Sequence, residues 1–256
     1  MEQRPKAYVF DIFGTVVNWR YSLAKGLEAS AQKIIDESAF SDVDEAVLAR
    51  ARDMTFSDWE WFAFQWYKRY INSGARPKDG QESGKAAGSD RGVQARWTLG
   101  GDAEKEQLVH LWHELDAWPD SAAAVTRFAK LGPTAMLSDG SVALLKSLDA
   151  RNGLRFDQVW GSDTWMAYKP DPAVYLGAAE KLGLRPDEVA LVATHLGDLR
   201  AAKKCGLKAL YVERPFEERY TEAEIDEARR AGWVDMWVPY GPGGLLGIVE
   251  RLEAMG

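Results

Sequence analysis

Several short apolar segments, rich in β-branched and aromatic residues, constrain the fold of this chain more than any other feature. Each is a nearly continuous hydrophobic run, which is typical of strands covered on both faces of a sheet. The segments between them have helical periodicity, as in VALLKSLDARNGL. This alternation predicts an α/β fold with a doubly wound parallel sheet. The predicted strands are AYVFDIF at 7–13, TAMLS at 134–138, QVWGS at 158–162, VALVAT at 189–194, KALYV at 208–212 and VDMWV at 234–238.

One long segment, residues 19–116, interrupts the alternation. Its pattern is mostly helical and unusually aromatic, as in DWEWFAFQWYKRY at 58–70, so we expect a helical subdomain inserted after the first strand. Most of these aromatic rings are expected to pack between helices, and a few are candidates to face a cleft. Residues 74–101 are rich in Gly, Ser and charge, which predicts a loop. A lid and a plain surface insertion both fit that loop.

Composition limits the partners and the location. With 256 residues, 46% of them hydrophobic, the chain can form a substantial core. A net charge of -7 without a Lys/Arg stripe argues against nucleic acid, so we expect a small-molecule partner. No apolar window is long enough for a membrane span or a signal peptide, and the single cysteine, Cys205, excludes an internal disulfide. These features predict a cytoplasmic protein that does not bind membranes.

Polar residues cluster where the predicted strands end. Asp11 ends the first strand, Ser138 follows the second, Lys169 the third and Asp198 the fourth. Each one alone is explained as a helix cap or a turn. In an open parallel sheet, however, the carboxyl ends of the strands form one rim, where these residues would meet. There a lysine can keep carboxylates ionised and offset the charge of an anionic substrate.

The motifs on this rim resemble those of the haloacid dehalogenase superfamily of hydrolases. They are DxxGT at 11–15, LSxG at 137–140, YKP at 168–170 and GD at 197–198, in the family's order along the whole chain. The resemblance implies a Rossmann-like core, residues 1–18 and 117–256, with residues 19–116 as a helical cap. Phosphatases of this superfamily have a second Asp, a general acid, where this chain has Phe13. The sequence is therefore most similar to type II 2-haloacid dehalogenases. The longer segments FDIFGTVVNWR and AYKPDPAVY extend this similarity.

The resemblance implies hydrolytic dehalogenation of small 2-haloalkanoic acids. Asp11 would displace the halide and form an aspartyl ester, which water then hydrolyses. Thr15 would steady the nucleophile, Lys169 would keep it charged, and Asp198 would orient Lys169 or the water. His195 stands near a position where many members have Asn, and it is either the base for the second step or a cap of the following turn. No cofactor and no metal are implied.

A second set of residues is implied to bind the substrate. Ser138 would hold its carboxylate, Phe13 lines the site in place of the acid, and Tyr175 either hydrogen-bonds there or packs its helix. Two residues depart from the family pattern. Tyr67 takes the place of the arginine that grips the halide, and Asp139 takes the place of an Asn. Both departures concern substrate recognition, and neither changes the predicted nucleophile, Asp11.

Two other functions remain open from the sequence. One is a magnesium-dependent phosphatase of the same superfamily, with Asp11 and Asp198 as metal ligands, against which Phe13 counts. The other is a non-catalytic binding protein on this fold, in which Tyr67 and Asp139 reflect lost turnover. A homodimer is also expected, because the cap is rich in aromatic residues and members of the family often form dimers.

Overall fold

The computed structural model describes residues 3–37, 44–72, 108–241 and 243–256, and only the backbone of residues 69–72. The predicted loop at 74–101 lies outside these ranges. Two compact units result: Met1–Asn18 with Asp116–Gly256, and Trp19–Leu115. The predicted domains have nearly the same boundaries.

The first unit is built on a six-stranded parallel sheet, which confirms the predicted α/β fold. Its strand order is β3-β2-β1-β4-β5-β6. β1 is shorter than predicted, because the chain turns after Phe10 and the amides of Val16 and Val17 both bond to the carbonyl of Ile12. The strands are β1 (Ala7–Phe10), β2 (Thr134–Leu137), β3 (Gln158–Trp160), β4 (Val189–Ala193), β5 (Lys208–Val212) and β6 (Met236–Val238).

Helices connect the strands of this unit. Short polar residues start several of them: Ser141 accepts a hydrogen bond from the amide of Leu144, and Asp171 accepts one from Ala173. Within the described residues no helix is both long enough and apolar enough to cross a membrane. In chain order the helices are α4 (Ser121–Phe128), α5 (Val142–Asn152), α6 (Ser162–Trp165), α7 (Pro172–Leu182), α8 (Leu196–Lys204), α9 (Glu222–Ala231) and α10 (Gly244–Glu253).

Side chains on β1 alternate between two buried faces. Val9 joins a cluster with residues of α7 and α8, whereas Tyr8 and Phe10 both pack edge-on against Phe128 of α4, with ring centroids 5.0 Å apart. All four residues of the strand are buried. Burial on both faces explains the continuous apolar runs in the sequence.

The described residues of the second unit form helices joined by aromatic contacts. They are α1 (Trp19–Glu37), α2 (Glu45–Asp53) and α3 (Phe56–Asn72), with a short 3-10 helix at Leu111–Glu114. The Trp19 ring lies 4.3 Å from the ring of Tyr67, and Trp66 packs edge-on against Trp112 at 5.8 Å. Within the aromatic run Trp59, Phe62 and Trp66 are buried, as the packing role predicts, whereas Trp61 is 61% exposed.

Candidate active site

Asp11 follows β1 at the carboxyl end of the sheet. Its amide still bonds to the carbonyl of Val192 in β4, at 3.0 Å, so the residue is fixed by the ladder. The strand order reverses at β1, which has β2 on one side and β4 on the other. Such a switch point is where open α/β sheets form their sites. Asp11 is only 8% exposed there.

Lys169 joins the two carboxylates that the motif order predicted to meet. Its Nζ lies 3.1 Å from Oδ1 of Asp11 and 2.6 Å from Oδ2 of Asp198. The other oxygen of Asp198 accepts a hydrogen bond from the Tyr175 hydroxyl at 2.6 Å. Tyr175 is also fully buried in the core, so both explanations of this residue hold. Each oxygen of Asp198 thus accepts one hydrogen bond, from Lys169 or from Tyr175.

Thr15 holds the second oxygen of the Asp11 carboxylate. Its hydroxyl donates to Oδ2 of Asp11 at 2.8 Å and accepts from the amide of Thr194 at 3.0 Å. The loop that carries Thr15 is fixed in turn, since Arg214 donates to the Thr15 carbonyl and the Trp118 indole donates to the Gly14 carbonyl. The hydroxyl therefore reaches Asp11 from a rigid support.

His195 faces Asp11 and does not cap a helix. It stands at the N-cap position of α8, but its side chain makes no capping hydrogen bond, so the capping explanation is wrong. Its Nδ1 lies 3.1 Å from Oδ2 of Asp11, and its Nε2 lies 3.6 Å from Oε2 of Glu217. The imidazole thus lies between two carboxylates.

These contacts fix the charge state of the site. Burial by itself raises the pKa of Asp11, but the charges of Lys169 and His195 outweigh it and hold that pKa well below its ordinary range. Burial lowers the pKa of Lys169, but the charges of Asp11 and Asp198 raise it by more. The net pKa lies above its ordinary value, so the ammonium stays charged. Burial also lowers the pKa of His195, but Asp11 and Glu217 raise it to about 10. At neutral pH the site therefore holds the ionised carboxylate of Asp11 and two cations, Lys169 and His195.

The residues after β2 form the next part of the rim. Ser138 is 4% exposed, and its hydroxyl accepts the amide of Gly140 at 3.3 Å. An oxygen of Asp139 accepts the backbone amide of Lys169 at 2.8 Å, which occupies one acceptor of the carboxylate that stands where the family pattern has an Asn. A side chain on Gly140 would begin 3.2 Å from the Phe13 ring, so the glycine lets this ring approach closely.

Tyr67 belongs to the helical unit. Its ring contacts Trp19 at 4.3 Å and Trp112 at 6.2 Å. Its neighbour Lys68 is exposed, and the side chain of Arg69 lies outside the described residues. A role of Tyr67 in binding the halide stays a prediction.

Glu217 is the site residue that the sequence analysis missed. Its carboxylate is buried, with the residue 5% exposed, and it lies against both His195 and Gly14. One signal was available: the carboxylates in VERPFEERY follow the carboxyl end of a predicted strand, as those of the motifs do. Nothing in that stretch distinguishes Glu217 from its neighbours, however.

The geometry favours Lys169 over a metal ion as the counterion of Asp11 and Asp198. Among the residues that the structure describes, no group of three or more His, Cys, Asp and Glu side chains is arranged to hold one. The ammonium of Lys169 lies between Asp11 and Asp198, the pair that a magnesium site would use. The charge that balances these carboxylates therefore comes from the protein.

Comparisons with known proteins agree with this geometry. The model of the haloacid dehalogenase-like hydrolase family matches residues 5–206. (S)-2-haloacid dehalogenase 4A of Burkholderia cepacia is 33% identical over 115 residues, which are 43% of this chain and 49% of that protein. (S)-2-haloacid dehalogenase 1 of Pseudomonas sp. strain CBS-3 is 33% identical over 113 residues, 43% of this chain and 50% of that protein. The chain thus spans about half the length of these curated relatives.

A similarity over the full length is found among solved structures. The crystal structure of a defluorinating L-2-haloacid dehalogenase superposes with a TM-score of 0.74 and 28% sequence identity. It covers 99% of this chain and 100% of the other chain. The fold and the order of the elements are therefore shared along the whole sequence.

Proposed function

The chain belongs to the haloacid dehalogenase-like hydrolase family, and on this premise we propose that it hydrolyses small 2-haloalkanoic acids to 2-hydroxy acids. The observation that carries the proposal is the state of Asp11. Its carboxylate is buried, ionised and fixed by Lys169, Thr15 and His195. A nucleophile of this kind needs no metal to become reactive.

The first step forms an ester on Asp11. A carboxylate oxygen attacks the carbon that bears the halogen, the carbon–halogen bond breaks, and halide leaves with its electron pair. Halide needs no proton, so the missing acid at Phe13 costs nothing in this reaction. Lys169 keeps Asp11 ionised, and Thr15 aims the carboxylate through a hydroxyl that is itself held by Thr194.

The second step returns the enzyme to its starting state. Water attacks the carbonyl carbon of the Asp11 ester and the 2-hydroxy acid leaves. His195 is the base for this water, because its Nδ1 lies next to the carboxyl group that becomes the ester. Because attack on the halogen-bearing carbon inverts it and ester hydrolysis does not touch it, an (S)-2-haloacid gives an (R)-2-hydroxy acid.

Substrate recognition uses the rim after β2. We assign the substrate carboxylate to the Ser138 hydroxyl, with the Phe13 ring against its apolar part. Asp139 accepts the Lys169 amide, which supports a role in fixing the loops. The named relatives act on (S) or L acids, so we propose the same preference here.

Halide release tests the proposal directly. Chloroacetate, fluoroacetate and both enantiomers of 2-chloropropionate are incubated with the parent chain, with and without EDTA. We expect halide from the (S) enantiomer at a rate that EDTA does not change, and none from Asp11→Asn. Asp116→Asn, which changes an exposed carboxylate, is the matched control. No halide from any acid would contradict the proposal, and magnesium-dependent cleavage of a phosphate ester would favour a phosphatase.

Location and assembly stay predictions. Composition favours the cytoplasm, and the family resemblance favours a homodimer. Fractionation of the native host and light scattering of the purified chain would test them.

A further inference from the structure

We propose that Glu217 is a positioning residue for the second step: it holds the Nε2–H of His195, so that Nδ1 is the nitrogen that takes a proton from the attacking water. This inference rests on the proposed function, because it concerns hydrolysis of the Asp11 ester. It assigns a task to a buried carboxylate outside the four motifs.

The position of Glu217 suits this task. Its side chain is 4% exposed, and its Oε2 lies 3.6 Å from Nε2 of His195, on the opposite side of the ring from Asp11. A buried carboxylate needs a partner, and the cations near Glu217 are His195 and Arg214. The histidine is thereby held between Asp11 and Glu217, and each ring nitrogen has one assigned neighbour.

The backbone on both sides of this contact is adapted to it. A side chain on Gly14, whose φ is +86°, would collide with the Glu217 carboxylate. Phe216 has a φ of +62°, which is rare for a residue with a side chain, and is 81% exposed. Strained backbone is unfavourable and concentrates at functional sites. Here the positive φ of Phe216 lets its ring face outward while the carboxylate of the next residue, Glu217, faces inward.

The charges around His195 explain why it becomes a base only after the first step. Asp11 and Glu217 contact it directly, and Lys169 and Asp198 lie beyond Asp11. In the resting site the imidazole is protonated and cannot accept a proton. Formation of the ester removes the charge of Asp11, which weakens the hold on the Nδ1 proton. Glu217 still faces Nε2, so Nδ1 is the nitrogen that loses its proton.

The proton balance then closes. The protonated His195 of the ester releases its Nδ1 proton to solvent. Water adds its oxygen to the ester carbonyl carbon of Asp11 and gives one proton to Nδ1. Its second proton passes to the oxygen of the departing 2-hydroxy acid as the carbon–oxygen bond breaks. Asp11 returns as a carboxylate and His195 as an imidazolium, and the whole cycle releases one proton and one halide.

Rapid-quench kinetics with (S)-2-chloropropionate separate the two steps. In Glu217→Gln we expect a halide burst of one equivalent at the parent rate, because the first step does not use Glu217. Ester hydrolysis should slow about 10- to 100-fold, which is a smaller effect than complete loss of a general base can give. The ester then accumulates as added mass on the intact protein. The pH midpoint of hydrolysis should fall by about one unit or more, because a negative charge beside His195 is lost.

Three variants complete the experiment. Glu217→Asp keeps the charge and should recover part of the hydrolysis rate. Glu218→Gln changes the adjacent carboxylate, which accepts backbone amides at Leu196 and Tyr220, and should leave both the burst and the pH midpoint unchanged. His195→Gln should release halide and lose the pH dependence of hydrolysis. If Glu217→Gln does not fold, Glu217→Asp carries the test: ester hydrolysis at the full parent rate and midpoint overturns the inference.

The outcomes separate this inference from the proposed function. If the parent gives no halide burst, the proposed function fails and this inference fails with it. If the parent gives a burst but Glu217→Gln hydrolyses its ester at the parent rate and midpoint, only this inference is overturned. Equal slowing of both steps at every pH, without recovery in Glu217→Asp, would show a merely structural role and also overturn it.

Discussion

The ammonium of Lys169 lies 3.1 Å from Oδ1 of Asp11, although 158 positions separate the two residues in the chain. The contact exists because the strands before them are parallel and end at one edge of the sheet. Asp198 receives the same ammonium from the other side, at 2.6 Å. One ammonium thus bridges two carboxylates, and His195 adds a second cation beside Asp11.

Replacement of Lys169 tests this bridge. Lys169→Met keeps the volume and removes the charge, which leaves Asp198 without the ammonium and Asp11 with His195 as its remaining cation. We expect a loss of roughly 3–5 kcal/mol in the free energy of unfolding at neutral pH. Urea denaturation measures it, and the exposed Lys146→Met is the control. An unchanged free energy of unfolding would show that the lysine does not balance this pair.

Thr15 offers a test of the support behind the nucleophile. Thr15→Val removes the hydroxyl and leaves the amide of Thr194 without its acceptor, so we expect a loss of about 1–3 kcal/mol in stability together with slower halide release. Thr15→Ser should recover both, because it restores the hydroxyl. Thr126→Val removes an exposed hydroxyl that bonds only within its helix, and serves as the control. A Ser variant as impaired as the Val variant would contradict this role.

The charge of His195 should appear in the pH dependence of stability. Its pKa is raised in the folded chain to about 10, so its contribution is complete below the ordinary value of 6.5 and is lost as the pH rises through about 10. The difference in unfolding free energy between the parent and His195→Gln should therefore shrink from about pH 6 to about pH 10. Urea titrations along this range measure it, with the exposed His110→Gln as control. A difference that grows with pH would show that the imidazole is neutral in the folded chain.

Stereochemistry gives a prediction that depends on the first step alone. The (S) enantiomer of 2-chloropropionate should yield (R)-lactate, because a carboxylate attacks from the side opposite the halide. Chiral chromatography of the product measures this. (S)-lactate would exclude a single displacement at that carbon.

Hydrophobic runs were enough to predict the sheet. Because both faces of β1 and its neighbours are buried, their sequences are apolar throughout, and the pattern is visible without knowledge of contacts. The apolar pattern predicts an end of β1 at Phe13, three residues beyond its actual end at Phe10. Ile12 and Phe13 are apolar like the strand, and the turn is set by the conformation of Gly14 and by hydrogen bonds to Ile12.

The meeting of Asp11, Lys169 and Asp198 was also predictable, since strand ends define the rim. The direction of individual side chains was not. Glu217 faces inward beside the outward-facing Phe216, where the backbone φ is positive, and this reversal leaves no pattern in the sequence. The hydrogen bond between Asp139 and the Lys169 amide is likewise set by the path of two loops.

The most direct test of the account is the fate of water oxygen in a single turnover. Excess enzyme reacts with (S)-2-chloropropionate in water enriched in ¹⁸O, and mass spectrometry follows the label in lactate and in the peptide that contains Asp11. We predict that the label enters the Asp11 carboxylate and that the first lactate carries none beyond its solvent-exchanged background. Labelled lactate with an unlabelled Asp11 would mean that water attacks the substrate directly, and would contradict the role of Asp11 as nucleophile.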